Sequence, residues 1–253
     1  MMQSVGWAAL GTGFTFLMTA LGAAMVFFFP GEPRPRFQRA LLGFAAGVMT
    51  AASVWSLLLP AIEQASEGPL PGWIPAAGGM LVGTVFLAAL DALLPFLRRT
   101  GEPQDPSWRQ TTLLMTAITL HNVPEGMAVG LAFALAASGE SFASAAALAL
   151  GIGIQNFPEG AAVALPLRQN GRSRLRAFLD GALSGAVEPV FGVLAALLVS
   201  GAAPLMPWLL SFAAGAMLYV VVEELIPQAH SRAGTCGFAL GFLVMMVLDV
   251  ALG

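Results

Sequence analysis

Two short stretches carry most of the polar chemistry in this chain: His121-Asn122-Val123-Pro124-Glu125-Gly126 and Gln155-Asn156-Phe157-Pro158-Glu159-Gly160. Each is a copy of N-x-P-E-G led by one further side chain with a lone pair. His121 and Glu125 stand four residues apart, so a helix puts them on one face with Asn122 beside them. Gln155, Asn156 and Glu159 repeat that face. Imidazole, amide oxygen and carboxylate together suit a divalent transition metal. Each motif proline also lacks an N–H, which predicts a kink and frees the carbonyls of Leu120 and Ile154. A third acid, Glu188, again adjoins a proline, Pro189.

The elements that must position these residues are membrane helices. Of the 253 residues, 57% are hydrophobic and only 10% charged, with a mean hydropathy of +0.80. A soluble domain carries about 25% charged residues, so this composition excludes an ordinary soluble enzyme and predicts one membrane domain, residues 1–253. The net charge of −3, with all eleven basic residues arginine, offers no patch for nucleic acid. A single cysteine, Cys236, excludes an intramolecular disulfide and a thiolate metal cage. The first thirty residues lack the basic start of a cleaved signal, so they read as a first span.

About 20 apolar residues cross a bilayer, which predicts eight spans at roughly 4–29, 40–62, 71–97, 109–136, 141–167, 176–200, 205–229 and 235–252. Every arginine then lies in or beside an odd-numbered gap between spans. Arg34, Arg36 and Arg39 fall in the first, and Arg98, Arg99 and Arg109 in or beside the third. Arg168, Arg172, Arg174 and Arg176 fall in the fifth, and Arg232 in the seventh. The positive-inside rule makes that face cytoplasmic and puts both termini outside. Phe44-Ala45-Ala46-Gly47-Val48-Met49 ahead of Pro60 echoes Phe212-Ala213-Ala214-Gly215-Ala216-Met217 ahead of Pro227, in the second and seventh spans. The second and seventh spans are five apart, an odd offset, so the two copies run in opposite directions, as in transporters built from inverted repeats. Glycines four apart, as at Gly43/Gly47, Gly126/Gly130, Gly181/Gly185 and Gly237/Gly241, predict close helix crossings.

An ionisable residue at mid-bilayer costs about 2.5–3.5 kcal/mol, so Glu125, Glu159 and Glu188 ionised and unpaired would cost on the order of 8–10 kcal/mol together. That rivals the stability of a whole domain. No arginine lies mid-span to neutralise them. One or two bound divalent cations would, with His121, Asn122, Gln155 and Asn156 as neutral ligands. Asp91, Glu223, Glu224 and His230 are candidates for the route to or from that site. Asp180 and Asp249 read as interfacial.

The paired motif on the fourth and fifth of eight spans resembles the ZIP (Zrt/Irt-like) metal-ion transporters, and within them the bacterial branch. The likeness covers essentially the whole chain. It implies an all-α, polytopic fold in a 3+2+3 arrangement, with the outer triplets as inverted repeats. It implies a binuclear centre, with His121, Glu125, Gln155 and Glu159 at a first metal. Asn122, Asn156 and Glu188 would hold a second, with Glu125 and Glu159 as bridges. It also implies an elevator-like motion of the metal-carrying helices against a dimerising remainder, hence a homodimer. Two departures stand out. Many members have a histidine and an acid where this chain has Gln155 and Asn156, which makes the second site less anionic. The segment Arg98 to Trp108 is short and lacks the histidines common there.

The reading is therefore a non-enzymatic importer in a bacterial inner membrane. It moves Zn2+, or Fe2+, Mn2+, Co2+ or Cd2+, as cargo by alternating access, and carries no prosthetic group. Two alternatives stand beside it. One is a proton-coupled carrier of an organic solute, with the glutamates as relay. The other is an intramembrane metalloprotease, against which Asn122 replaces the general-base glutamate and Glu125 the second histidine of H-E-x-x-H.

Overall fold

Without water to satisfy the backbone, apolar runs in lipid close their hydrogen bonds internally as helices. That is how this chain folds in the computed structural model, which describes residues 2–28, 35–66, 68–97, 106–169 and 171–252. Side chains at 94–118, 169, 201 and 203 are not among those described. Arg34, Arg98, Arg99 and the segment 98–105 lie outside the described residues, as does the Arg109 side chain.

The described residues form eight rods: α1 (Met2–Phe27), α2 (Pro35–Ser66), α3 (Trp73–Leu97), α4 (Pro106–Ala137), α5 (Phe142–Gln169), α6 (Arg174–Gly185 and Val187–Gly201), α7 (Met206–Ala229) and α8 (Arg232–Leu252). No strand occurs among them. Six rods are long and apolar enough to cross a membrane, on the residues described. The other two, α4 and α5, are those whose apolar runs the paired motifs interrupt. Their polar residues survive because the helices are shielded from lipid: α4 packs on α1, α5, α6 and α7, and α5 on α1, α2, α6 and α8. Large apolar side chains such as Leu10, Val82, Leu198 and Val250 point outward instead, as a bilayer surface allows. The protein is a multi-pass membrane protein.

The inverted repeat is visible in the packing. Exchanging α1 for α6, α2 for α7, α3 for α8 and α4 for α5 carries the main contacts onto one another. The packing of α2 on α8 maps to α7 on α3, and that of α1 on α5 to α6 on α4. Glycine makes these crossings close. Gly241 of α8 lies against the backbone of Phe44, and Gly83 of α3 against the backbone of Phe212, the equivalent residue of the echoed segment. Gly43, Gly47 and Gly237 bring α2 and α8 equally close.

The echo extends to where the helices loosen. In α2 the backbone widens to a π-helix over Ser53–Leu58, and in α7 over Val221–Leu225. Each begins four residues after the echoed methionine, Met49 or Met217, and ends two before Pro60 or Pro227. The proline has no N–H for the turn before it, so that turn relaxes. By contrast, the helices run on through Pro124 and Pro158. An interruption of the helix near the site lies in α6. Pro189 withholds an N–H from the Gly185 carbonyl, and the helix is interrupted at Ala186.

Candidate metal centre

Each motif glycine sets a helix in place beside its glutamate. Gly126 lies against the backbone of Glu188, which draws α4 onto the break in α6. Gly160 lies against the backbone of Thr19, which draws α5 onto α1, and Gly22 returns the contact to Phe157. Four helices, α1, α4, α5 and α6, thereby converge on one polar cluster. Glu188 enters it from the first turn of the second half of α6, where the helix N-terminus favours an anion.

His121, Asn122, Glu125, Gln155, Asn156 and Glu188 are all buried, and Glu159 is half-buried. Gln155 donates from Nε2 to Glu125 Oε1 at 2.7 Å and, more weakly, to Asn156 Oδ1 at 3.4 Å. Asn156 donates from Nδ2 to Glu188 Oε2 at 3.0 Å. Asn122 donates from Nδ2 to the Ser184 carbonyl at 2.9 Å, just ahead of the α6 break. Glu159 stands within electrostatic reach of Glu125, Glu188 and His121. Among the described residues no three His, Cys, Asp or Glu side chains gather into a metal cage by themselves. Three oxygens in the cluster are left over. Asn122 Oδ1, Glu125 Oε2 and Gln155 Oε1 are buried without a hydrogen-bond partner. Two are amide oxygens, which can only accept, and the third is a carboxyl oxygen; a buried acceptor without a donor costs about 1–3 kcal/mol. A cation is the partner that serves several such oxygens at once.

The outlying candidates divide. Glu224 joins the cluster, its Oε1 lying 2.8 Å from His121 Nε2 across the α4–α7 contact. Asp91 does not join it; this exposed residue accepts a hydrogen bond from Tyr219 of α7 at 3.2 Å. Glu223 is exposed beside the same tyrosine, and His230 is exposed at the end of α7. Sequence reasoning missed the threonines of α1. Thr12, Thr15 and Thr19 form a buried stripe, and Thr19 donates to Glu188 Oε1 at 3.1 Å. Their spacing of three and four residues in an otherwise apolar helix was the available signal.

Cavities lie on either side of the cluster. At the arginine-free end, a polar cavity of about 300 Å³ is lined by Ser56, Glu63, Gln64, Glu140, Ser144 and Asp249. On its wall, both carboxylate oxygens of Asp249 lie within reach of the single Ser56 hydroxyl, at 2.7 and 2.9 Å. Ala132, on the wall of this cavity, lies about two helical turns from Glu125. Toward the arginine-bearing end, Glu159 lines a small cavity of about 40 Å³ between α2 and α5, with Gln38, Leu42, Pro158 and Leu225.

Comparison with known proteins agrees with this architecture. The family model described as "ZIP Zinc transporter" matches residues 107–249, which include every residue of the cluster on α4, α5, α6 and α7. The chain is 40% identical to "Zinc transporter ZIP11" of Homo sapiens, over 99% of this chain and 98% of that protein. It is 39% identical to "Zinc transporter GufA" of Myxococcus xanthus, over 93% and 94% of the two chains. It is 40% identical to "Zinc transporter ZIPB" of Bordetella bronchiseptica, over 98% of this chain and 82% of that one. With a family model spanning more than half of its length and relatives of this identity along nearly all of it, the chain belongs to the ZIP family of transporters.

Proposed function

We propose that this protein imports divalent transition metal, Zn2+ foremost, through a mid-membrane site on α4, α5 and α6. The observation that carries the reading is the trio of buried, unpartnered acceptor oxygens on Asn122, Glu125 and Gln155. Relatives named as zinc transporters support zinc among the divalent ions. ZIP members are transporters and not enzymes, which sets the peptidase alternative aside.

In this reading the hydrated ion collects in the acidic cavity at the arginine-free end, where Glu63, Glu140 and Asp249 raise its local concentration. It exchanges water for Glu125, Gln155 and Asn122 oxygens, with His121, Asn156, Glu159 and Glu188 completing or shaping the site. His121 is held by Glu224 in this structure, so ligation by its Nε2 requires that contact to part. Glu159, facing the α2–α5 cavity, is the residue from which the ion departs toward the arginine-bearing side. Oxygen and imidazole ligation without thiolate holds Zn2+ at an affinity that still permits release.

The test is zinc uptake into proteoliposomes loaded with a zinc-sensitive dye. Uptake that external chelator abolishes supports metal as the cargo. An organic-solute carrier would leave the dye dark and work equally well with chelator present. Because protons compete with metal for its ligands, uptake should fall several-fold between about pH 7.5 and about pH 5 at a matched zinc gradient. Equal rates at the two values would sink the competition.

The remaining parts of the proposal are a bacterial inner-membrane location, termini outside, and a homodimer. Orientation has a direct probe in Cys236, an exposed free thiol one turn inside the arginine-bearing end of α8. A membrane-impermeant maleimide should label it in inside-out vesicles and spare it in intact cells. Labelling in intact cells would reverse the assigned topology.

A further inference from the structure

The polar residues of the cluster are unequally satisfied, and the inequality has a direction. Both oxygens of Glu188 already have donors, Thr19 at 3.1 Å and Asn156 at 3.0 Å. The Asn156 oxygen is also engaged, by Gln155 at 3.4 Å. The unpartnered oxygens all lie elsewhere, on Asn122, Glu125 and Gln155. Neutral N–H and O–H donors therefore surround Glu188, in the places where a cation would otherwise balance it. Turning the Asn156 amide over would set oxygen against carboxylate oxygen and strand its NH2 beside Gln155 Nε2. A carboxylate at 156 would have no hydrogen to offer Glu188, and the pair would need a cation between them.

Resting on the reading of this cluster as a metal site, we propose that the chain holds and moves one divalent ion at a time. Asn156 is the residue that sets this number, its NH2 standing where a second ion would bridge positions 156 and 188. The ion occupies the open oxygens of Glu125, Gln155 and Asn122. Glu188, held by Thr19 and Asn156, positions the α6 break against α4 and contributes no ligand of its own.

The test counts bound metal, independently of transport. Purified protein is equilibrated with excess Zn2+, freed of unbound ion and analysed for zinc per chain. Ions held elsewhere are counted on Glu125→Ala and subtracted. Wild type should retain one zinc above that blank, and Asn156→Asp two, a doubling of the specific count. Two in wild type would overturn the proposal, as would an unchanged count in a folded Asn156→Asp. If the new buried carboxylate prevents folding, the wild-type count still decides between one and two. A wild-type count equal to the blank, in protein that melts cooperatively, would instead overturn the metal-site reading underneath.

Discussion

Glu125→Ala should lower zinc uptake into proteoliposomes at least about 100-fold while leaving the protein folded. Removing even an outer partner of a metal ligand costs about 10–100-fold, and Glu125 supplies the one carboxyl oxygen among the three that lack partners. Its other oxygen receives Gln155, so the alanine also strands an amide NH2 and lets Gln155 swing. The fold should survive because Gly126, not Glu125, makes the close contact with α6. His121→Ala should also lose uptake. There the loss has a second source, since Glu224 is left without its partner across the α4–α7 contact. Variants that transport as well as wild type would leave the fold standing and show that the site has been assigned to the wrong residues.

Gly126→Val is expected to destabilise the protein by about 3 kcal/mol, at or above the upper end for an overpacked core. An added Cβ at Gly126 would run into the backbone of Glu188, 2.6 Å from its Cα, and backbone cannot turn aside as the tip of a side chain can. α6 would have to move as a unit, carrying Glu188 away from Thr19 and Asn156. A thermal melt in detergent should show the loss, with Gly6→Val as the control because nothing lies within 4 Å of that position. An unchanged melting temperature would mean that α4 and α6 are packed less tightly than the structure describes.

These two neighbours, Glu125 and Gly126, show how differently a sequence speaks about chemistry and about packing. The glutamate announces itself, since a carboxylate in an apolar run needs compensation wherever it sits. The duplicated N-x-P-E-G pattern was legible for the same reason, as were the arginine-marked gaps and the echo between α2 and α7. Each depends on residue type and local spacing alone. The α2–α7 echo then proved deeper than its letters, with π-helical turns at matching positions and with Gly83 and Gly241 against equivalent phenylalanines.

Contacts between helices far apart in the chain were another matter. No spacing rule brings Thr19 to Glu188, Ser56 to Asp249 or Glu224 to His121, pairs separated by 169, 193 and 103 residues. The sequence determined by itself that the chain crosses a membrane as helices, which face carries positive charge, and which residues could ligate a cation, because hydropathy, charge and side-chain chemistry are local properties. Only the tertiary structure decided which of those groups meet and which oxygens go without donors. Hydrogen bonds form between atoms in space, and glycine-lined crossings select the atoms that come together.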